Sequence, residues 1–308
     1  MERAKLVVVM PALNEEAGIG STIDELKTTL HNYDHQIVVV DGHSTDRTVE
    51  LAKKSGATVV YQRRPGYGGA LNTGFLYGLL KLKASIFLAL DADGSYAIKD
   101  APKLIDCILR GEADYVTGKR VPETKEAMNY PNKFGNWVIS WMTRSLLRIP
   151  LHDSQTGMFA FRASLIRGTN LKTQGWAINT ELLKRAVEMD LVIQEIPVTY
   201  RNRLGKTKLG IVKGGLANLA VLLRMMRDAE PMLLFGTFAG VFVLIGILAG
   251  TGVAIEWLTT GTEKHFITAI LSAMSVMVGI QLLAIGLLAD MIRSRTTYEK
   301  RDMQFEVA

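Results

Sequence analysis

Two long uncharged stretches near the C-terminus constrain this chain more than any other feature. Residues 232–255 and 266–289 contain no Asp, Glu, Lys or Arg, and each stretch is 24 residues long. As a helix, each would reach roughly 36 Å, more than the bilayer core of about 30 Å. The alternative is a pair of buried core helices, but apolar core segments are usually shorter, at about 10–14 residues. The two stretches therefore predict a hairpin of membrane-spanning helices.

Basic residues lie on the outer sides of the two stretches. The formal net charge of the chain is +6. The short connection between the stretches holds two acidic residues and one basic residue, Glu256, Glu263 and Lys264. By the positive-inside rule, both outer flanks face the cytoplasm. A basic belt beside a membrane favours anionic lipid, and we expect no nucleic-acid partner because the charge adjoins the apolar spans. The basic residues are Arg201, Arg203, Lys206, Lys208, Lys213, Arg224 and Arg227 before the first stretch, and Arg293, Arg295, Lys300 and Arg301 after the second.

The N-terminal part is expected to stay in the cytoplasm. Its first apolar segment, Leu6–Met10, is too short for a signal peptide. Cys107 is the only cysteine, so no intrachain disulfide can form, which agrees with a reducing compartment. We therefore expect an integral protein of the cell membrane with both termini in the cytoplasm.

Strand and helix signals alternate through the first 200 residues. This order predicts βαβ units and a mostly parallel, Rossmann-like sheet with ligands at the carboxyl ends of its strands. Ser44 is the predicted N-cap of the second helix. The predicted strands are Lys5–Met10, Gln36–Val40, Thr58–Tyr61, Ser85–Leu90, Asp114–Thr117, Met158–Phe161 and Val192–Tyr200, and the predicted helices are Ile19–Leu30, Thr45–Lys54, Ala70–Leu82, Ala101–Arg110, Pro131–Leu147 and Asn179–Glu188.

Four regions follow from these patterns. Residues 1–210 form an α/β domain, and 211–230 are amphipathic, which predicts a helix in the membrane interface or an ordinary surface helix. Residues 231–292 form the hairpin and 293–308 a basic tail. The glycines of the hairpin could pack against each other or against another copy in a homo-oligomer.

The segment DADGSY at 91–96 carries the strongest chemical signal. It follows an apolar strand, so Asp91 and Asp93 lie at the carboxyl edge of the sheet. Two carboxylates in one turn can hold Mg²⁺ or Mn²⁺, with substrate phosphates as further ligands. The alternative is an acidic turn around Gly94.

Three other segments lie at the same edge or close to it. PALNEE at 11–16 and VDGHSTDRT at 40–48 follow the first two strands, and GYGGALNTG at 66–74 precedes a helix. The glycines of the third segment predict flexible backbone where a ligand passes close. This segment does not follow the first strand, which argues against a dinucleotide fingerprint.

Together these segments resemble the family 2 glycosyltransferases, whose fold is called GT-A. The resemblance spans roughly residues 5–210. It implies metal-dependent transfer of a sugar from a nucleotide-sugar. The residues implicated around the nucleotide and its diphosphate are Pro11, Leu13, Glu15, Val40, Asp41, Asp91, Ala92 and Asp93.

A narrower resemblance is to polyprenyl-phosphate sugar synthases. It rests on GKR at 118–120, DSQTGMFAFR at 153–162 and YRNRLGKTKLG at 200–210. It implies a dolichyl or polyprenyl phosphate acceptor and a catalytic set of Asp93, Arg120 and Asp153. Lys208 joins the donor site, whereas Lys133 and Thr156 join the acceptor phosphate site. Arg120 and Arg203 serve both sites, since an arginine fork can hold two phosphate oxygens.

The match narrows further to archaeal dolichyl-phosphate sugar transferases that initiate N-glycan assembly. DGHSTD at 41–46, the Glu256–Trp257 pair and the segment 279–292 carry it. It implies UDP-N-acetylglucosamine or UDP-glucose as donor, and a lipid-phosphate sugar for protein N-glycosylation or cell-surface glycans as product. Ser95 replaces a glutamine that the mannosyl relatives place near the metal, so it is the third candidate metal ligand. Ala177 replaces their lysine, which favours a UDP-sugar over GDP-mannose.

A lipid monophosphate is largely ionised at neutral pH, so the nucleophile needs little deprotonation. Direct attack would invert the anomeric carbon. Asp153 acts either as a base or as a residue that orients Arg120. The rival functions are mannosyl transfer from GDP-mannose, a membrane glycosyltransferase with a non-phosphate acceptor, and a non-catalytic membrane module.

Overall fold

The computed structural model divides the chain into two compact units, Met1–Leu222 and Leu223–Ala308. It describes residues 4–124, 127, 130–169, 171, 173, 175, 177–204, 220, 223, 226–227, 230–261 and 265–302. Lys208 lies outside these residues. So does the predicted interfacial helix at 211–230, apart from isolated positions, together with the last six residues of the tail, 303–308. Those assignments stay predictions.

The first unit contains a seven-stranded mixed sheet in the order β3-β2-β1-β4-β6-β5-β7. Strand β6 is antiparallel to its neighbours β4 and β5, and all other pairs are parallel. Strand β1, in the interior of the sheet, is buried on both faces, as parallel strands covered by helices should be. The strands are β1 Leu6–Ala12, β2 His35–Asp41, β3 Thr58–Tyr61, β4 Ile86–Ala89, β5 Tyr115–Pro122, β6 Phe159–Arg162 and β7 Ile193–Tyr200.

Helices connect most of these strands, so the predicted α/β fold is confirmed. Short 3₁₀ turns at Ile98–Asp100 and Ala163–Ile166 precede α4 and follow β6. The core includes the apolar faces of α1 and α4, which pack on the strands through buried leucines and isoleucines. The helices of this unit are α1 Ile19–Thr29, α2 Thr48–Lys54, α3 Tyr67–Leu80, α4 Ala101–Leu109, α5 Tyr130–Leu147 and α6 Ile178–Glu188.

Two local predictions are wrong. Helix α2 begins after Arg47 with no side-chain cap, because the Ser44 hydroxyl donates to Asp41 instead. The glycine-rich segment is not flexible backbone but the start of α3. Its glycines let the helix approach the sheet: a Cβ on Gly74 would lie 2.3 Å from Val9 Cγ1.

The second unit contains two antiparallel helices, α7 (Pro231–Thr260) and α8 (Phe266–Asp302), so the hairpin is confirmed. Small residues allow close packing, since a Cβ on Gly246 would lie 2.8 Å from the Ser272 carbonyl oxygen. The Ser272 hydroxyl also donates to the Gly246 carbonyl at 2.8 Å. Both helices are long and apolar enough to cross a membrane. Their outer side chains are exposed, for example Leu258 at 75% and Ile267 at 74%, which suits a lipid environment better than a protein core.

Candidate active site

The loops after β1 and β2 are joined at the carboxyl edge of the sheet. The backbone N–H of Asn14 donates to Ser44 Oγ at 2.8 Å, and the backbone N–H of Thr45 donates to Asn14 Oδ1 at 2.7 Å. Asp41 is fully buried and receives Ser44 N at 2.9 Å and Ser44 Oγ at 2.5 Å. These bonds explain the left-handed conformation of Asn14, with φ at 50°. The loops predicted to surround the nucleotide therefore form one hydrogen-bonded wall.

The individual nucleotide-site candidates differ in exposure. Leu13 is 46% exposed, whereas Pro11 and Glu15 are half-buried. Val40 is fully buried and its side chain packs towards Gly74, so only its backbone could meet a ligand. Of these four residues, Pro11, Leu13 and Glu15 therefore have exposed side-chain surface that a bound molecule could contact.

The two aspartates of the DADGSY segment form the turn after β4. Gly94, with φ at 74°, adopts the left-handed conformation at which glycine is favoured. Asp93 and the intervening Ala92 are buried, whereas Asp91 is half-buried. The Asp91 carboxylate accepts a hydrogen bond from the Tyr67 hydroxyl at 3.0 Å. Burial and the neighbouring Asp93 raise the pKa of Asp91 to about 7, so the pair favours a compensating cation.

The loop after β1 packs directly on this turn. A Cβ on Gly18 would lie 3.0 Å from the Asp93 carbonyl carbon and 3.2 Å from the Ala92 oxygen. Glu15 also acts electrostatically on Arg203, the arginine that faces Asp93. The structure therefore brings the paired carboxylates and the predicted nucleotide loops together.

The DSQTG segment at 153–157 also packs against Asp91. A Cβ on Gly157 would lie 2.1 Å from Asp91 Oδ2, so only glycine leaves room for this carboxylate. The Tyr96 hydroxyl accepts Gly157 N at 2.6 Å and lies 3.3 Å from Thr156 Oγ1. Tyr96 thus ties the end of the DADGSY segment to the DSQTG segment.

Arg203 faces Asp93. Its Nε donates to Asp93 Oδ2 at 2.8 Å, and its Nη2 contacts the same oxygen at 2.5 Å. Burial alone would lower the pKa of Arg203, but the Asp93 carboxylate outweighs it and the pKa is raised. Arg203 is therefore a permanent positive charge beside the carboxylate pair.

Arg120 forms a buried, bidentate ion pair with Asp153. Nε donates to Oδ2 at 2.7 Å and Nη2 donates to Oδ1 at 2.8 Å, and the guanidinium also reaches Asn136 Oδ1 at 2.9 Å and lies 5.6 Å from the Tyr200 ring centroid. Burial alone would raise the pKa of Asp153, but the charge and hydrogen bonds of Arg120 lower it. A carboxylate with a lowered pKa is a weak base, so the geometry favours the orienting role over the base role.

Glu195 on β7 holds the turn that carries Asp153. Its Oε1 accepts the backbone amides of both His152 and Asp153 at 2.8 Å. Its other oxygen lies 2.8 Å from His152 Nδ1. Glu195 is thus a positioning residue that acts on Arg120 through Asp153.

The remaining candidates lie at varied depths. Lys133 on α5 is exposed, whereas Thr156 and Ser95 are buried. The Thr156 hydroxyl bonds within its own turn, to Met158, and the Ser95 amide donates to Asp93 Oδ1 at 2.9 Å. Their predicted ligand roles stay predictions. Trp137 on α5 is 60% exposed and stacks on Phe134 of the same helix.

The residues at the turn fit a hard divalent cation. Among the described residues, no group of three or more His, Cys, Asp or Glu side chains could hold a metal ion. A cation here would therefore rely on Asp91 and Asp93, completed by substrate phosphates and water, which is the usual arrangement for Mg²⁺. Two contacts agree with such a site. Gly157 leaves room for the Asp91 carboxylate, and Asp93 already binds a cation, the Arg203 guanidinium.

Sequence reasoning missed several residues that build the site. Tyr67 and Tyr96 lie inside quoted motifs, but their hydroxyl partners come from distant segments. Gly157 and Asn136 act through contacts that no local pattern encodes. Only Glu195 left a signal, as an acidic residue inside a strand.

A Rossmann-like sheet with paired aspartates and two arginines at its carboxyl edge defines a domain for handling phosphorylated substrates. Residues 7–168 match the model of the family described as glycosyl transferase family 2. The chain belongs to this family, and the prediction of a family 2 glycosyltransferase is confirmed.

Named relatives and solved structures agree with this assignment. The dolichyl-phosphate hexose transferase of Haloferax volcanii is 35% identical over 212 residues, covering 69% of this chain and 90% of that protein. The UDP-N-acetylglucosamine–dolichyl-phosphate N-acetylglucosaminyltransferase of Methanococcus voltae is 31% identical over 215 residues, covering 63% and 84%. Glucosyl-3-phosphoglycerate synthase from Mycobacterium tuberculosis, solved with Mn²⁺, UDP and glucosyl-3-phosphoglycerate, superposes with a TM-score of 0.57 at 24% identity, covering 73% of this chain and 80% of that chain. This structural likeness confirms the GT-A fold.

Proposed function

We propose that this protein transfers one sugar from a nucleotide-sugar to dolichyl or polyprenyl phosphate. The observation that carries the proposal is the arrangement of the Asp91–Asp93 pair against Arg203, with Arg120 close enough to act electrostatically on Asp91. One substrate of this reaction is a diphosphate and the other a phosphate. A site that combines carboxylates with two permanent cations suits both, and the names of the relatives support the same pair of substrates.

The reaction is a direct displacement. An oxygen of the lipid phosphate forms a bond to the anomeric carbon while the bond from that carbon to the nucleoside diphosphate breaks. The nucleoside diphosphate leaves with the electron pair, and no proton needs to move because the acceptor is already ionised. Attack from the opposite side inverts the anomeric configuration.

Each charged side chain has a distinct task in this reaction. Arg203 and Arg120 reduce the repulsion between two anionic substrates and hold their phosphates in line. Asp153 keeps the Arg120 guanidinium in one orientation. A divalent cation on Asp91 and Asp93, either Mg²⁺ or Mn²⁺, would neutralise charge on the departing diphosphate.

The donor is UDP-N-acetylglucosamine or UDP-glucose, and the product serves protein N-glycosylation or cell-surface glycan assembly. The M. voltae relative, whose name includes UDP-N-acetylglucosamine, supports this donor class. GDP-mannose as donor and a non-phosphate acceptor are the alternatives. Two apolar helices support anchoring in the cell membrane, with the catalytic unit and both termini in the cytoplasm as the flanking charges favour.

A transfer assay tests the proposal. The full chain in liposomes receives UDP-N-acetylglucosamine, UDP-glucose or GDP-mannose, each labelled in the sugar, with Mn²⁺ or Mg²⁺ and either polyprenyl phosphate or polyprenol. We expect organic-phase label that mild acid releases, only with the phosphate acceptor, with a UDP donor and with metal. Asp93→Asn should abolish it, and Asp190→Asn, an exposed residue in the turn after α6, is the matched control. Equal labelling of polyprenol would contradict the proposal.

A further inference from the structure

The Asp93 carboxylate already carries a positive partner. Both Nε and Nη2 of Arg203 contact Oδ2, while Oδ1 receives the Ser95 amide. The Asp93 side chain is 4% exposed, whereas the Arg203 side chain is 33% exposed. Arg203 therefore occupies, from the solvent side, an oxygen that a metal ion would need.

The backbone of Arg203 is fixed beside this carboxylate. Residues 199–204 run antiparallel to residues 93–97: Ala97 N donates to Thr199 O at 3.0 Å, Arg201 N to Ser95 O at 2.7 Å and Leu204 N to Asp93 O at 2.9 Å. These hydrogen bonds tie residues 199–204 to the DADGSY turn. The Arg203 guanidinium, on a side chain that is 33% exposed, can change partners without breaking them.

We propose that Arg203 is a counter-cation that couples metal binding to nucleotide binding. Without ligands it neutralises Asp93. When a nucleoside diphosphate and a divalent cation bind together, the guanidinium moves from Asp93 Oδ2 to the phosphate oxygens, and the vacated oxygen becomes a metal ligand. This inference rests on the proposed function, since it requires a diphosphate and a metal at this site.

The physical reason is competition for one oxygen. A guanidinium and a divalent cation repel each other and cannot both bind Oδ2 closely. The diphosphate offers the arginine fork an equivalent pair of anionic oxygens. When the metal binds alone, it must therefore break the Arg203–Asp93 ion pair without a replacement for Arg203. When the nucleotide binds as well, its diphosphate replaces Asp93 as the partner of Arg203. Coupling between two ligands is reciprocal, so the metal must strengthen nucleotide binding by the same factor.

Mn²⁺ binding to the full chain in detergent, measured from the electron paramagnetic resonance signal of free Mn²⁺ with and without UDP, tests the proposal. For the wild type we expect UDP to tighten Mn²⁺ binding. For Arg203→Met we expect Mn²⁺ to bind about fivefold or more tightly than in the wild type without UDP, and the UDP effect to shrink towards none. Unchanged Mn²⁺ affinity without UDP, together with a full UDP effect, would overturn the proposal.

Two further variants separate this contact from general electrostatics. Arg201→Met removes a neighbouring charge whose partner is Glu25 at 3.4 Å, and it should leave the coupling intact. Arg203→Lys keeps the charge if the methionine variant does not fold, and should weaken the coupling because the fork is lost. A loss of coupling in Arg201→Met equal to that in Arg203→Met would refute the contact exchange. If the wild type binds no Mn²⁺ even with UDP, the proposed function fails together with this inference. If UDP tightens Mn²⁺ binding equally in the wild type and in Arg203→Met, only this inference is refuted.

Discussion

Replacing Asp153 by asparagine should destabilise the catalytic unit strongly. The two charged side chains of the Arg120–Asp153 pair are 14% and 5% exposed and share two short hydrogen bonds. Removing one partner of such a buried pair costs about 3–5 kcal/mol, because the other charge is left buried without compensation. For a unit of roughly this size, each kcal/mol lowers the midpoint by about 2–4 °C, so we expect a decrease of about 6–20 °C.

The assay is fluorescence-detected thermal unfolding of the full chain in detergent. Glu188→Gln is the control, since its pair with Lys184 on α6 is exposed and should contribute less than about 1 kcal/mol. A midpoint for Asp153→Asn within the range of this control would refute the reasoning that the pair is a buried structural unit.

The stability difference between the wild type and Asp153→Asn should depend on pH in a defined way. The pKa of Asp153 is lowered from 3.8 in the folded protein, so its stabilising contribution is fully present above pH 3.8 and is lost as pH falls through the lower folded value. The difference between wild type and Asp153→Asn should therefore be constant from about pH 5 to pH 8. A difference that grows or vanishes in that window, measured in the same unfolding assay, would contradict the assigned ion pair.

Three other substitutions test separate contacts. Gly157→Ala would place a Cβ 2.1 Å from Asp91 Oδ2, so Mn²⁺ binding in the presence of UDP should weaken about tenfold or more. Unchanged Mn²⁺ binding would argue against the close contact between Gly157 and Asp91. Glu195→Ala leaves two backbone amides without their acceptor, so the KM for lipid phosphate should rise and the stability should fall by about 1–3 kcal/mol. Glu195→Gln should restore most of the KM and most of the stability. Equal effects of the two variants would contradict a positioning role. Gly246→Leu should lower the thermal stability of the hairpin in detergent, whereas Gly252→Leu, with nothing within 4 Å of its Cβ position, should not, and equal behaviour of the two would refute the packing.

Local sequence patterns predicted most of the fold, because the apolar and charged residues of a single segment indicate whether that segment is buried. The apolar run of β1 and the uncharged stretches of α7 and α8 needed no tertiary information. The position of Asp91 and Asp93 followed from the strand before them. The cap of α2 failed for the opposite reason, because Ser44 found better partners in Asp41 and in the neighbouring loop.

The site itself depends on contacts between distant segments. The hydroxyl of Tyr67 reaches Asp91 across 24 positions, and Arg203 reaches Asp93 across 110. The antiparallel backbone pairing that holds Arg203 in place has no signature in residue type. Sequence resemblance could identify the arginine, but not the carboxylate that it holds.

In the proposed reaction, a lipid phosphate oxygen receives the sugar. Phosphorus-31 NMR of the reaction in detergent tests it directly, because the acceptor changes from a phosphate monoester to a phosphodiester. We predict that the monoester signal falls and a diester signal rises in step with release of the nucleoside diphosphate, with wild type and not with Asp93→Asn. Release of the nucleoside diphosphate while the monoester signal stays constant would contradict the account.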